Sequence, residues 1–109
     1  MTLDDQLRKG STTVLILALL EGESMYGYQI SRELERRSQG YFTMKEGLLY
    51  PALHQMEENG LIAGEWKTID NRQRKYYRIT PRGRKQLAQS AAEWRTFASH
   101  LLKLIGGTA

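Results

Sequence analysis

The hydrophobic residues of the chain form their longest uninterrupted run between Val14 and Leu20. An apolar run that stops at Gly22 predicts a helix beginning at about Asp4 or Ser11 and ending at Glu21. Because a helix of this kind is apolar all round, we expect it to be buried on most of its sides.

A second helix is predicted from about Tyr26 to Arg37, where apolar residues recur with helical spacing. It places Ile30 and Leu34 on one face. Glu33 lies four residues before Arg37, the separation at which opposite charges pair on a helix surface. The pattern indicates an amphipathic helix with one face against a core.

A third helix is predicted after Thr43-Met44-Lys45-Glu46, which has the form of a capping box, and before Gly60. On a helical wheel, its apolar face holds Leu49, Ala52, Leu53 and Met56. The opposite face lacks the usual charged coat and holds Gly47, Tyr50, Pro51, His54 and Glu58. Since proline inside a helix costs about 3 kcal/mol, either the first turn is irregular or the helix begins nearer Tyr50.

Between Leu61 and Ile79 the hydrophobic period changes to two, which predicts a β-hairpin connected by Asp70–Gln73. On one face this register pairs Trp66 with Tyr77 and Thr68 with Lys75. On the other it pairs Glu65 with Arg78, Lys67 with Tyr76 and Ile69 with Arg74. We expect the aromatic pair to face the core, and the tip of the hairpin to be polar and basic.

A fourth helix is predicted from the N-cap Thr80 and Pro81 to about Ile105. At ~1.5 Å per residue it would be ~37 Å long, more than the diameter of so small a domain. Its apolar residues follow the alternating spacing of a coiled-coil seam: Leu87, Ala91, Trp94, Ala98, Leu101 and Ile105. We therefore expect a homodimer through this helix, although its N-terminal part can instead pack on the first helix of its own chain.

The chain has 109 residues and a mass of 12.6 kDa, enough for one compact domain. Its net charge is +4, but residues 66–85 hold eight lysines and arginines against Asp70 alone. That segment therefore carries +7 and the remainder carries −3. A basic segment on a slightly acidic body is typical of a polyanion-binding protein, most often one that binds nucleic acid. The alternative is a solvated charged face.

Several classes of function are excluded by what the sequence lacks. Without cysteine there is no disulfide scaffold, thiolate zinc site or cysteine nucleophile. His54 and Glu57 have a metal-compatible spacing but no further ligands, and the sequence has no hydrolase or nucleotide-binding motif. The start of the chain is acidic and its longest apolar run is far below the ~20 residues of a membrane span. We expect a cytoplasmic, membrane-free protein that is not an enzyme, with no metal or cofactor.

Three helices followed by a hairpin with a basic tip form a winged helix-turn-helix, in which the third helix enters the major groove of DNA. The predicted fold class is mainly α with a two-stranded β wing, an α+β arrangement. Residues 1–80 would form the DNA-binding domain, residues 81–105 a dimerisation helix, and residues 106–109 a flexible tail.

Four motifs carry a family resemblance: Tyr26–Ile30, Glu46–Leu53, Glu58–Ile62 and Tyr76–Gly83. In this order they resemble the PadR family of bacterial transcriptional regulators, in its short form with one C-terminal helix. The resemblance implies a homodimeric repressor that binds a palindromic operator and, in some members, releases DNA on binding a small aromatic or drug-like molecule. Trp94 stands where such members carry a tryptophan at the dimer interface. Leu48 departs from the threonine or serine common in the family.

Phosphate contacts are assigned to four cations: Lys45, Arg72, Arg74 and Lys75. Tyr50 and His54 are the candidates for approaching bases or sugar edges, with Gly47 and Pro51 allowing a close fit. Tyr26 and Gly27 are placed where a helix N-terminus attracts phosphate.

Each of these assignments has a structural alternative. Tyr50 could be a buried tyrosine that braces the wing, His54 an ordinary solvated histidine, and Tyr26 a packing residue. Trp94 could be plain interface core, while Trp66 and Tyr77 are expected in the core of the hairpin. The competing function is a winged-helix adaptor that binds protein instead of DNA.

Overall fold

The structure, a computed structural model, describes residues 3–106, with side chains from Gly10 onward. The elements are α1 (Leu3–Leu20), β1 (Met25–Tyr26), α2 (Gly27–Arg37), α3 (Glu46–Glu58), β2 (Ile62–Ile69), β3 (Arg72–Ile79) and α4 (Pro81–Leu104). Of the flexible tail predicted over residues 106–109, only Gly106 lies within the described residues.

The core is built mainly from α1, α2 and α3, which pack against the base of a small sheet. Its largest fully buried side chains are Ile16, Leu17, Leu20, Ile30, Leu49, Leu53 and Ile62. The apolar run of α1 is not buried on every side, because Ala18 is exposed and Val14 and Leu15 are only partly covered. The predicted pair on α2 is confirmed, since Arg37 Nε lies 2.9 Å from Glu33 Oε1.

The sheet has three antiparallel strands in the order β1-β3-β2, not the two predicted from the sequence. The additional strand is two residues long and pairs Met25 with Tyr77 and Tyr26 with Tyr76. It contains a single alternation, too short a pattern to recognise. Its effect is to attach the start of α2 to the wing, which we define as the hairpin of β2 and β3.

The register of the wing also differs from the prediction. The connection is the two-residue turn Asp70-Asn71, both in the left-handed region with φ of 52° and 63°, as in the tight turns that match strand twist. Trp66 is consequently opposite Lys75, not Tyr77. Because the shift is by two residues, every side chain keeps its predicted face. Tyr77 is buried as expected, but Trp66 is 65% exposed, so its placement in the core was wrong.

Helix α3 begins at Glu46, with Lys45 at the N-cap position and no side-chain cap. The capping box predicted at Thr43 is therefore wrong. Pro51 lies inside the helix, where it removes the backbone hydrogen bond to the carbonyl of Gly47. Both residues are exposed, so water can hydrate that carbonyl.

Helix α4 is anchored at its first turn as predicted. Thr80 Oγ1 accepts from Gly83 N at 3.0 Å and donates to the carbonyl of Gly60 at 2.6 Å. A Cβ on Gly83 would lie 2.0 Å from the carbonyl oxygen of Leu61, so only glycine permits this approach. Leu87 is buried in the core of its own chain, which is the outcome left open for the N-terminal part of the apolar stripe.

Candidate nucleic-acid interface

The outward face of α3 presents the residues that the wheel assigned to it. Gly47, Tyr50, Pro51 and His54 are all exposed, while Leu49, Leu53 and Met56 on the opposite face are buried. His54 Nε2 lies 3.0 Å from Glu58 Oε1. Lys45 is exposed just before the helix begins. This face therefore combines Gly47 and Pro51, which have no polar side chain, with the hydrogen-bonding groups of Tyr50 and His54.

Gly27 allows a close approach between α2 and α3. A Cβ at this buried position would lie 2.6 Å from Tyr50 Oη, so the phenol ring occupies the space that a side chain would fill. Tyr50 nevertheless remains 45% exposed, so it is not a buried tyrosine. The ring is held against backbone on one side and open to a ligand on the other.

Tyr26 is mainly a packing residue of the sheet. Its ring meets Tyr76 edge-on, with centroids 5.4 Å apart, and the Arg74 guanidinium carbon lies 4.4 Å from the Tyr26 centroid. Its backbone N–H donates to Gln29 Oε1 at 3.1 Å, so this donor is already engaged within the chain. The side chain therefore orients a cation, whereas the predicted phosphate contact by the helix N-terminus gains no support from this N–H.

The wing cations differ in how they are held. Arg72 is exposed beside the turn, opposite Ile69. Arg74 is partly covered by its stacking on Tyr26, which reduces the side-chain freedom lost when it meets a phosphate. Lys67 lies over Tyr76, with Nζ 5.2 Å from the ring centroid. Cations and tyrosines thus alternate along this face of the wing.

Lys75, one of the predicted phosphate contacts, is also engaged within the chain. Its Nζ donates to Glu57 Oε1 at 2.7 Å, and Glu57 Oε2 accepts from Gly64 N at 3.1 Å. These hydrogen bonds lower the pKa of Glu57, while the carboxylate raises the pKa of Lys75. One carboxylate therefore ties the C-terminal part of α3 to both strands of the wing.

A groove of about 460 Å³ lies between the start of α2, α3 and the wing. Its lining includes Gly27 and Tyr50 on one side and Trp66, Arg74 and Lys75 on the other. Burial raises the pKa of the Tyr77 phenol, which also lines the groove. Through Tyr50, the groove joins the outward face of α3 to the wing.

Sequence reasoning missed two residues of this surface. Glu57 was considered only as a metal ligand beside His54, because its partner Lys75 is 18 residues away. Trp66 was assigned to the core on its hydrophobicity alone. The sequence feature that indicates its exposure is Gly64, which lies two residues earlier on the same face of the strand. A glycine there leaves the indole without a large neighbour.

The C-terminal half of α4 exposes a second surface. Phe97, Leu101, Leu104 and Ile105 are 55%, 44%, 86% and 68% exposed. Trp94 is partly covered, since its ring passes 3.6 Å from the position of a Cβ on Gly10 of α1. It also meets Phe97 edge-on at 5.9 Å between centroids. Of the predicted seam, Ala98 is exposed and Ala91 partly covered.

Among the side chains that the structure describes, no cluster of three or more His, Asp or Glu is arranged to hold a metal ion. Across residues 3–106, each helix is too short or too polar to cross a membrane.

Comparison with known proteins gives this surface a context. Residues 16–89 match the model of the transcriptional regulator PadR-like family. A transcriptional regulator of Mycobacterium tuberculosis is 29% identical over 97 residues, which cover 89% of this chain and 88% of the relative.

Two solved structures have the same fold. A transcriptional regulator from Clostridium thermocellum superposes with a TM-score of 0.84 at 33% identity, covering 90% of this chain and 96% of the other. A PadR family transcriptional regulator from Eggerthella lenta gives 0.81 at 32% identity, covering 92% of this chain and 86% of the other. These matches confirm the predicted winged-helix fold and place the chain among regulators, not enzymes. Since the family model spans more than half of its length, the chain belongs to the PadR-like family of DNA-binding transcriptional regulators.

Proposed function

We propose that the protein is a homodimeric repressor that binds a palindromic operator. The observation that supports this most directly is the groove between α3 and the wing, because it joins a close-fitting helix face to a basic hairpin. A winged helix uses these two elements together, the helix in the major groove and the wing along the backbone.

The proposed contacts divide by chemistry. Lys45, Arg72 and Arg74 neutralise phosphates and set affinity and register. Tyr50 and His54 approach base or sugar edges, and His54 can do so by exchanging its contact with Glu58. Gly47 and Pro51, at the centre of the helix face, bring its backbone close to the bases.

The palindrome follows from the dimer. Two copies joined through α4 are related by a two-fold axis, so they present two identical winged helices to two inverted half-sites. Occupation of such an operator blocks access to the promoter, which is the basis of the proposed repression. Expression of a reporter under the chain's own upstream region should rise when the regulator is deleted, whereas a fall would identify an activator.

Titration of the upstream duplex at several salt concentrations tests DNA recognition. We expect log K to fall with log salt by ~0.9 per phosphate contacted. Arg74→Ala should make this slope shallower by about one contact. Arg95→Ala, which removes an exposed cation from α4, is the control and should leave the slope unchanged. Failure to bind duplex at any salt concentration would favour the protein-binding adaptor.

We also propose that a small aromatic ligand binds between the two α4 helices and releases the operator. Trp94 and Phe97 support this, because their edge-to-face rings line the exposed apolar face of α4. In a Trp66→Phe variant, Trp94 is the remaining tryptophan. Its fluorescence should be quenched by planar aromatic compounds. Unchanged emission with a broad panel, in a protein that is still dimeric, would make Trp94 a structural residue.

A further inference from the structure

Trp66 is an exposed indole in the middle of the wing. Its side chain is 65% exposed, although Tyr77 on the same face of the hairpin is buried. A large aromatic side chain left in water is a common mark of an interface, because tryptophan contributes much contact area and loses little side-chain entropy on binding. We therefore expect the Trp66 ring to contact a binding partner in the groove that it lines.

Both walls of this groove are supported by contacts within the chain. Tyr50 rests against Gly27, where a Cβ would lie 2.6 Å from its hydroxyl. On the other side, Glu57 binds both Lys75 and the backbone of Gly64, the neighbours of Trp66 on its face of the wing. Neither wall needs to be rebuilt when a ligand enters, which reduces the entropy cost of binding.

The charge of the groove indicates its occupant. Among the described residues that line it, none is acidic. Its cations are Arg74, whose guanidinium stacks on Tyr26, and Lys75, which is paired with Glu57. An occupant must therefore combine negative charge with an apolar surface. A nucleic acid strand does so at every nucleotide, through its phosphate and the carbon face of its deoxyribose.

We propose that one strand of the bound duplex runs through this groove, with sugar faces packed on the Trp66 indole and the Tyr50 ring and a phosphate against Arg74. This inference rests on the proposed DNA-binding function and adds to it a non-ionic contact. Trp66 contributes affinity through apolar contact, whereas the wing cations contribute through counterion release.

Two measurements test the contact. The first is iodide quenching of tryptophan fluorescence with and without saturating operator duplex. In the wild-type protein, the duplex should protect the Trp66 component from iodide. This change should be absent from Trp66→Phe, which retains Trp94 and so measures its background.

The second measurement is the affinity of Trp66→Ala and Trp66→Phe for a labelled duplex. We expect Trp66→Ala to lose about tenfold, the scale of one aromatic contact with a nucleotide. Trp66→Phe should lose less because it keeps a ring. Neither substitution removes a charge, so both should retain the wild-type salt slope, in contrast to Arg74→Ala. Thermal unfolding would verify that the exposed position tolerates alanine.

The possible failures can be separated. If the duplex binds but leaves Trp66 fully open to iodide, and Trp66→Ala binds as tightly as wild type, this inference is overturned while the proposed function stands. If no duplex binds, the proposed function itself fails. If 1-naphthalenesulfonate protects Trp66 and the duplex does not, the groove is a small-molecule site and the strand assignment is wrong.

Discussion

Gly27 illustrates how one residue can act through its neighbour. The sequence suggested that this glycine lets a phosphate approach a helix N-terminus. In the structure, the atom that fills the missing Cβ position belongs to Tyr50. The glycine therefore sets the position of a tyrosine on the proposed DNA-binding surface, and we expect its contribution to binding to be indirect.

This arrangement predicts the effect of Gly27→Ala. The new methyl group would meet the end of a half-exposed, rotatable side chain, so Tyr50 should swing out without unfolding the core. We expect the free energy of unfolding to change by less than about 1 kcal/mol, since alanine also favours the helix. Operator affinity should fall severalfold. Denaturant unfolding and duplex titration measure the two effects.

The control for this prediction is Gly22→Ala, because nothing lies within 4 Å of a Cβ at that position. It should retain wild-type operator affinity. An unchanged affinity in Gly27→Ala as well would show that the position of Tyr50 does not matter for DNA recognition.

At the residue scale, the sequence predicts which face of an element a side chain lies on better than it predicts whether that side chain is buried. Helical spacing alone assigned Leu49 and Leu53 to the core and Tyr50 to the surface. The same reasoning placed Trp66 on the correct face of the wing but wrongly in the core. Periodicity specifies direction, whereas burial also depends on how far the neighbouring elements extend, and the wing projects beyond them.

The wing shows the same limit at the scale of an element. A four-residue connection and the observed turn at Asp70-Asn71 differ by two residues in register, and both satisfy the alternating pattern. Only the local turn chemistry distinguishes them, through the two left-handed residues at the tip. The bridge from Glu57 to Lys75 could not be predicted, because it depends on how α3 crosses the wing.

That bridge gives a pH-dependent prediction. The Glu57 carboxyl has its pKa lowered from the ordinary 4.5, chiefly by the hydrogen bond from Lys75. Its stabilisation is therefore complete above the ordinary value and is lost as the pH falls through the lowered folded value. The pKa of Lys75 is raised from 10.5, so the lysine's part is lost only as the pH rises through that higher value.

We therefore expect Glu57→Gln to lower the free energy of unfolding at pH 7 by up to about 1 kcal/mol, as for other partly exposed ion pairs. The difference from wild type should shrink as the pH falls below 4.5 towards the lowered pKa of the wild-type carboxyl. Denaturant unfolding at pH 7 and pH 3 measures both values. Glu65→Gln is the control because Glu65 is an exposed carboxylate on the same wing. A deficit of equal size at both pH values would contradict the role of charge.

At the scale of the whole molecule, α4 gives the chain its shape. The principal extents are 54 × 28 × 24 Å, so the long axis is about twice the others. Among the described side chains, the first turns of the helix reach the common core through Leu87, and Trp94 then covers Gly10 of α1. Beyond this point, most of the large apolar side chains of α4 are exposed, and Leu102 is partly covered. Excess length and apolar spacing were both readable in the sequence, whereas the contribution of Phe97 and Leu104 was not, since neither belongs to the predicted seam.

We expect the exposed apolar face of α4 to be buried against the same face of a second copy. In such a symmetric dimer, each substitution occurs twice in the interface. Leu101→Glu places a charge in the proposed interface twice, once from each chain. Losing two buried leucines costs roughly 3 kcal/mol or more, which weakens the dimer by about two orders of magnitude. Light scattering should change from twice the 12.6 kDa chain mass towards a single chain. Thr96→Glu adds the same charge on the opposite side of α4 and should remain dimeric. Operator affinity should fall with the dimer, because a single winged helix reads one half-site; a monomeric variant with wild-type affinity would refute the proposed two-fold recognition.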